Sequence, residues 1–298
     1  MKKIRAGILL LITTFFWGVT FTIVKDAIRQ VDVFVFLSQR FLAAFLILLP
    51  IAMVKTRRLP LQTVKHGIIL GVLLFAAYAF QTVALKYTSA SNTGFLTGLN
   101  VVFVPIMGGF FFGQAVSGNV KWGVLLSVTG LFFLCSNGAW VFNNGDLLAT
   151  ICGGCVALHL LYTSEFARRA DSNVFWLTTI QLGTVALLSI LAAKGNGNAV
   201  FVWYPGILWT LVICVLVATV FAFLVQTSMQ RFISPAHTAL IFCSEPVFAA
   251  LYAYWAASER LGFYGMIGAL LILAGMIVAE ALPERNPTEA VLQGAEAD

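Results

Sequence analysis

The chain has 298 residues, of which 60% are hydrophobic and only 10% are charged, and its mean hydropathy is +0.94. A soluble domain carries about 25% charged residues and needs polar side chains to cover its surface, so a water-soluble globular protein is excluded. The net charge of +6 comes without a basic face interleaved with aromatic residues, and we expect no nucleic-acid partner.

Apolar runs of about 20 residues, the length that crosses a bilayer as a helix, follow one another along the chain. Short loops separate them and leave no room for a domain outside the membrane. The ten runs are roughly residues 6–24, 33–54, 67–87, 91–112, 122–136, 147–166, 174–193, 207–226, 236–257 and 263–282. Backbone groups in lipid must be satisfied within the segment, and the alternation of a β-barrel is missing. The sequence therefore predicts an all-α integral membrane protein with ten transmembrane helices.

The loop charges predict the orientation of these helices. If the N-terminus is cytoplasmic, 12 of the 18 Lys and Arg residues lie in inner segments and 5 in outer loops. This bias predicts a multi-pass protein of the bacterial inner membrane with both termini in the cytoplasm. The start of the chain resembles a signal peptide but lacks a suitable cleavage site, so we expect an uncleaved first span. The polar segment 283–298 is expected to be a disordered cytoplasmic tail.

An internal repeat is the most informative feature of the sequence. When the chain is shifted by 145 positions, residues 77–131 match residues 222–276 with 11 identities in 55 positions. The polar pair Gln81-Thr82 recurs in register as Gln226-Thr227. The period contains five spans, an odd number, so the second copy crosses the membrane in the opposite sense. We therefore expect two inverted five-helix repeats, residues 1–141 and 142–282, with the substrate between them near the midplane.

Several short motifs resemble a known family. They are Gln39-Arg-Phe-Leu42, Tyr87-Thr-Ser-Ala-Ser-Asn-Thr-Gly-Phe-Leu96 followed by Pro105, Ile233-Ser-Pro-Ala-His-Thr-Ala-Leu240, Ser244-Glu-Pro-Val-Phe-Ala249 and Ser258-Glu-Arg-Leu261. In this order and spacing they resemble the EamA branch of the drug/metabolite transporter superfamily. The resemblance implies ten helices in two inverted repeats and transport of small metabolites, often amino-acid export. Gly113-Gln-Ala-Val116 departs from the Gly-Glu-Arg-Leu-like turn that is usual in the first half.

Polar side chains within the apolar runs fall on single helical faces. Such groups are costly at bilayer depth and are functional candidates by default. The predicted substrate-binding residues are Trp17, Tyr78, Gln81, Thr97, Asn100, His159, Tyr162, Gln226 and Glu245. The fifth and tenth runs have almost no polar groups and are expected to support the bundle from outside. The alternative is that these polar groups bond to neighbouring backbone and pack helices together.

Two charged residues, Arg40 and Glu245, lie within the apolar runs. Glu245 lies near mid-depth, directly before Pro246, and is a candidate proton site or ligand for a substrate amine. A structural carboxyl bonded to another helix is the alternative. Arg40 is a candidate ligand for a substrate carboxylate or a structural partner that caps carbonyls.

The sequence thus predicts a secondary transporter that moves a small metabolite, such as an amino acid, by alternating access, with export favoured by the resemblance. The alternatives are an exporter of cationic drugs and, with less support, a membrane-embedded enzyme. Motifs for a catalytic site, a cofactor or a metal site are missing, so we expect none of these. The expected partners are a small-molecule substrate and the lipid bilayer. Proton coupling and the choice between monomer and homodimer stay open.

Overall fold

The computed structural model describes residues 2–56, 59–88, 90–135, 143–169, 172–203, 205–257 and 262–280. Within these ranges the regular elements are helices, and no strand occurs. In chain order they are α1 Lys2–Ala27, α2 Val33–Lys55, α3 Leu61–Ala84, α4 Ala90–Gly98, α5 Asn100–Phe112, α6 Gly118–Cys135, α7 Asn144–Arg168, α8 Val174–Gly195, a 3₁₀ turn at Pro205–Ile207, α9 Leu208–Val215, a π-helix at Leu216–Phe221, α10 Ala222–Met229, α11 Pro235–Phe242, α12 Glu245–Ala257 and α13 Phe263–Glu280. The 283–298 tail, the 258–261 motif and the expected boundary between the repeats lie outside the described residues.

The helices have the length and composition of membrane spans. Among the described residues, seven helical stretches are long and apolar enough to cross a bilayer, including Thr93–Phe112 and Pro205–Met229. Gly118–Leu134 and Phe263–Ala279 are shorter apolar helices. The outward surface carries large apolar side chains such as Phe110 and Trp255, which are 82% and 83% exposed. These features show a multi-pass membrane protein whose apolar surface faces lipid.

Short polar side chains fix where several helices begin. The Asp32 carboxylate accepts hydrogen bonds from the backbone amides of Phe34, at 2.9 Å, and Val35 at the start of α2. At the start of α7, Asn143 and Asp146 form a reciprocal capping box. Each cap satisfies amides that the first turn leaves without an intrahelical partner, which a buried helix end requires.

Two of the expected spans are interrupted near their centres. The run at 91–112 forms α4 and α5, with a turn at Leu99, and the run at 236–257 forms α11 and α12. In the second case Pro246 has no amide to donate to the carbonyl four residues earlier, which breaks the ladder. In the first case the Asn100 side-chain amide donates to the Thr97 carbonyl at 2.9 Å and competes with the backbone. Only the second of these two breaks is marked by a proline in the sequence.

Helices α6 and α13 pack against each other through glycines. A Cβ on Gly123 would lie 2.7 Å from the Gly275 carbonyl oxygen, and a Cβ on Gly130 would lie 2.6 Å from the Gly268 oxygen. These separations are so short that only glycine fits, because the two backbones touch. Since the partner number falls as the residue number rises, the two helices run antiparallel.

Elsewhere α2 lies along α8, and α3 packs between α7 and α8. The buried apolar residues form one cluster around α4, α5, α7 and α11 and another around α2, α8 and α9. The helices α1 to α6 thus pack mainly against the helices α7 to α13. The space left between the two clusters holds the candidate site.

Candidate functional site

A cavity of about 120 Å³ lies at the centre of the bundle. Nine helices contribute to its wall: α1, α2, α3, α4, α5, α7, α10, α11 and α12. The predicted residues that line it are Trp17, Arg40, Tyr78, Gln81, Thr97, Asn100, His159, Gln226 and Glu245. None of the lining residues belongs to α6 or α13, the fifth and tenth helices that the sequence placed outside. The structure therefore brings one set of scattered polar residues to a single space.

Tyr162 does not line the cavity, although the sequence grouped it with His159. Its ring packs 5.3 Å from the ring of Phe112 and 5.4 Å from the ring of Phe166, beside an apolar cluster that contains Leu70. Tyr162 lies three residues after His159 on α7, but its ring packs against Phe112 and Phe166 and does not reach the cavity. We assign it a packing position.

Aromatic rings form one wall of the cavity. The Trp17 ring lies 5.6 Å from the ring of Phe223 and 5.0 Å from the ring of Phe242, and the Tyr78 ring lies 6.4 Å from that of Phe223. Trp17 is held in place because its indole N–H donates to the carbonyl of Ala218 at 2.9 Å. Phe223 and Phe242 were not predicted as site residues, since an apolar ring in an apolar run carries no distinguishing signal.

Arg40 is bound to the π-helix opposite it. Its Nε donates to the Thr219 hydroxyl at 2.7 Å, and one terminal nitrogen, Nη2, donates to the Ala218 carbonyl at 3.2 Å. The same nitrogen lies 3.4 Å from the Tyr78 hydroxyl, and the guanidinium carbon lies 5.1 Å above the Tyr78 ring. Arg40 and Trp17 therefore donate to the same backbone carbonyl, that of Ala218 in the π-helix.

Glu245 is the acidic residue of the cavity wall. It is the first residue of α12, directly after the interruption, and its side chain is half-buried and faces the cavity. Among the described residues, no hydrogen bond or ion pair engages its carboxylate. Asn100 holds the equivalent place, at the start of α5 and 145 positions earlier, and its buried side-chain oxygen also has no partner in the described chain.

Buried amides lie behind the cavity on one side. His159 Nε2 lies 3.0 Å from the Gln181 side-chain oxygen, and the Gln181 amide donates to the Thr227 hydroxyl at 3.4 Å. Gln226 donates to the side-chain oxygen of Gln230 at 3.1 Å, and Gln230 donates to the Leu160 carbonyl at 3.1 Å. We call His159, Gln181, Gln226 and Gln230 the amide network. It joins α7, α8 and α10, and its members are at most 3% exposed.

Sequence reasoning missed Gln181 and Gln230 as members of this network. A signal existed for Gln230, because it lies four residues after Gln226 and so shares its helical face. Gln181 stands alone on α8 and gave none. Within the described part of the chain, no group of three His, Cys, Asp or Glu residues is placed to hold a metal ion.

Comparison with known proteins gives consistent results. A model of the EamA-like transporter family matches residues 4–136 and again residues 143–280. A protein of Archaeoglobus fulgidus named as an uncharacterized transporter is 31% identical over 93% of this chain and 86% of its own length. The uncharacterized transporter YyaM of Bacillus subtilis is 22% identical over 97% of this chain and 99% of its own length.

One protein of known crystal structure shares the fold. It superposes with a TM-score of 0.78 at 20% identity and covers 94% of this chain and 98% of its own.

Proposed function

Because the chain belongs to the EamA-like transporter family, we propose that it is a secondary transporter that exports a small metabolite, an amino acid, by alternating access. The family and the relatives above are transporters and not enzymes. The observation that carries the finer proposal is the central cavity, which meets both interrupted spans and contains a carboxylate without a partner in the described chain. Interrupted helices in corresponding positions of two halves are typical of transporter binding sites.

The glycine contacts between α6 and α13 support two inverted repeats in a ten-span bundle. Under the 145-residue shift, Gly123 corresponds to Gly268 and Gly130 to Gly275. The observed contacts are Gly123 with Gly275 and Gly130 with Gly268, so each contact maps onto the other when the halves are exchanged. This reciprocity is expected of two antiparallel copies around a two-fold axis, as in a symmetric dimer.

A second contact lies on the same axis. The Cys243 thiol is 3.8 Å from the Gly98 carbonyl oxygen, and these two residues are themselves equivalent under the shift. The centres of both interrupted spans therefore meet. The double match of the family model to the two halves agrees with this arrangement and with repeats at about 1–141 and 142–282.

Alternating access requires that the cavity be closed on one side at a time. The amide network supplies one closed side, since it fills the space between α7, α8 and α10 with hydrogen-bonded polar side chains, although the Gln226 side-chain oxygen has no partner in the described chain. If both termini are cytoplasmic, as the loop charges indicate, α10 ends at the inner face and the network closes that face. The bacterial inner membrane as its location rests on the same argument.

The size and chemistry of the cavity favour a small substrate over a bulky drug. Pockets for drug-sized ligands have volumes of roughly 300 to 1,000 Å³. A cavity of about 120 Å³ with amide, hydroxyl and carboxylate groups suits a compact polar metabolite. The aromatic wall beside Glu245 also suits a small cationic compound, so cation export is the second candidate.

Counterflow in liposomes tests the proposal. The purified protein is reconstituted with internal amino acid, and uptake of radiolabelled amino acids, nucleosides and a cationic dye is measured. We expect at least one amino acid to exchange above protein-free liposomes, with the dye inactive. Exchange of the dye alone would favour the second candidate, and exchange of none would contradict both.

A further inference from the structure

Two residues of the cavity wall carry formal charge, Arg40 and Glu245. The charged group of Arg40 already has hydrogen-bond partners, whereas that of Glu245 has none in the described chain. A zwitterionic substrate would be expected to pair its carboxylate with Arg40 and its ammonium with Glu245. Both pairings can form only if the guanidinium of Arg40 has free donors and the carboxylate of Glu245 has free acceptors.

The guanidinium of Arg40 has little left to offer a carboxylate. A bidentate contact needs two neighbouring nitrogens, and every such pair includes Nε or the terminal nitrogen Nη2. Both are already bonded, to Thr219 and to Ala218, and the whole residue is only 4% exposed. Arg40 and Ala218 are 178 residues apart in sequence, so this hydrogen bond connects α2 to the π-helix across the cavity wall.

The carboxylate of Glu245 is in the reverse situation. No described residue bonds to it, and the cavity's aromatic rings, including Trp17, Tyr78 and Phe242, stand around the same space. A half-buried carboxylate that shares a cavity with aromatic rings favours a cation, because both the charge and the ring quadrupoles attract an ammonium group. A bound ammonium would also supply the hydrogen bonds that the carboxylate lacks.

We propose that Glu245 and the aromatic wall recognise the ammonium group of the substrate, whereas Arg40 is a positioning residue that holds the wall and does not bind the substrate carboxylate. The proposal rests on the transport of a small metabolite proposed above and narrows its substrate class. The recognised class is small primary amines, of which amino acids are one group. A blocked carboxylate is then tolerated and a blocked amine is not.

Matched ligand series test this directly. Binding of alanine, leucine and phenylalanine, with the methyl ester and the N-acetyl derivative of each, is measured on the purified full-length protein by thermal stabilisation. In at least one series we expect the ester to bind within threefold of the parent and the N-acetyl compound at least tenfold more weakly. A tenfold loss on esterification, retained binding on acetylation, or no binding in any series would overturn the proposal.

Variants separate recognition from positioning. In Arg40→Gln we expect the amino acid and its ester to weaken by the same factor, with their affinity ratio unchanged within twofold. A loss confined to the amino acid would show that Arg40 holds the carboxylate. If Arg40→Gln does not fold, Arg40→Lys is subjected to the same ratio test.

Glu245→Gln should abolish the preference for the free amine over the N-acetyl compound. Glu165→Gln is the matched control, because Glu165 is 45% exposed on α7, pairs with Arg169 and does not line the cavity. This variant should keep the preference. Amine binding without counterflow would remove the proposed transport and leave the inference standing. Counterflow of an amino acid together with equal binding of its N-acetyl derivative would support the proposed transport and overturn the inference on amine recognition.

Discussion

At the scale of single residues, the site is asymmetric at one pair of equivalent positions. Asn100 and Glu245 each begin a helix after an interruption, so both present a side chain to the cavity from the same kind of place. One is neutral and the other can ionise. Within this pair of equivalent positions, only Glu245 can therefore make transport depend on pH.

Glu245→Gln should keep the fold, since it preserves the shape and most hydrogen-bonding capacity of the side chain. If Glu245 binds the driving proton or a substrate amine, net transport should fall at least tenfold, which corresponds to about 1.4 kcal/mol or more. The pH dependence of the rate should flatten as well. The measurement is initial transport rate against pH at matched protein amounts, with Glu165→Gln as the control. Superimposable profiles for wild type and Glu245→Gln would leave Glu245 as a packing residue.

Most of these residues could be selected from the sequence, because polar side chains are rare in apolar runs and their spacing gives the face. Nine of the ten candidates, Arg40 included, line the cavity, and Tyr162 does not. What Arg40 bonds to could not be predicted. Thr219 is 179 residues away, and the carbonyl of Ala218 accepts two side-chain donors within a π-helix that has no sequence signature.

At the scale of helices, α6 and α13 depend on close backbone contact, and this contact is open to a direct test. Gly130→Ala would place a methyl group 2.6 Å from the Gly268 carbonyl oxygen and force the two helices apart. Overpacking of this kind costs about 1–3 kcal/mol. We expect a lower midpoint of thermal unfolding in detergent.

The matched control is Gly118→Ala on the same helix, where a Cβ would meet nothing within 4 Å. Its midpoint should stay at or above the wild-type value, because alanine is the better helix former. Equal effects of the two substitutions would contradict the packing of α6 against α13.

The division between lining helices and supporting helices predicts a pattern of chemical access. Single cysteines at Tyr78, Gln81, Asn100 or Gln226, in a background without native cysteines, should react with a small water-soluble thiol reagent. Cysteines at Leu126 on α6 and Leu271 on α13 should stay unreacted, because those helices do not reach the cavity. Labelling rates measured by mass shift decide the matter, and equal rates for the two sets would refute the assignment.

At the scale of the whole molecule, the topology across the membrane is open to a direct test. The loop-charge bias predicts an even number of crossings with both termini inside. A reporter enzyme that works only in the cytoplasm should therefore be active when it is fused after Pro283. The paired reporter that is active only in the periplasm is the control, and activity of that one would contradict the ten-span count.

Hydropathy was sufficient to predict the helices, since a bilayer accepts few alternatives to an apolar helix. Hydropathy was not sufficient to predict where a span is interrupted. The break at Leu99 contains no proline, and the Asn100 side chain bonds to a backbone carbonyl there. The amide network depends equally on contacts between helices that are distant in sequence.

The reciprocal contacts of α6 and α13 have a thermodynamic consequence. If the halves were identical, exchanging their conformations would leave the free energy unchanged, and a carrier without substrate would face each side half of the time. The halves differ where it matters: Gln230 of the amide network stands in register with Leu85, and Glu245 with Asn100. Each 1.4 kcal/mol of difference shifts the two populations tenfold. If the protein works by the proposed alternating access, the side that the empty carrier faces at rest is thus decided at the positions where the two halves differ.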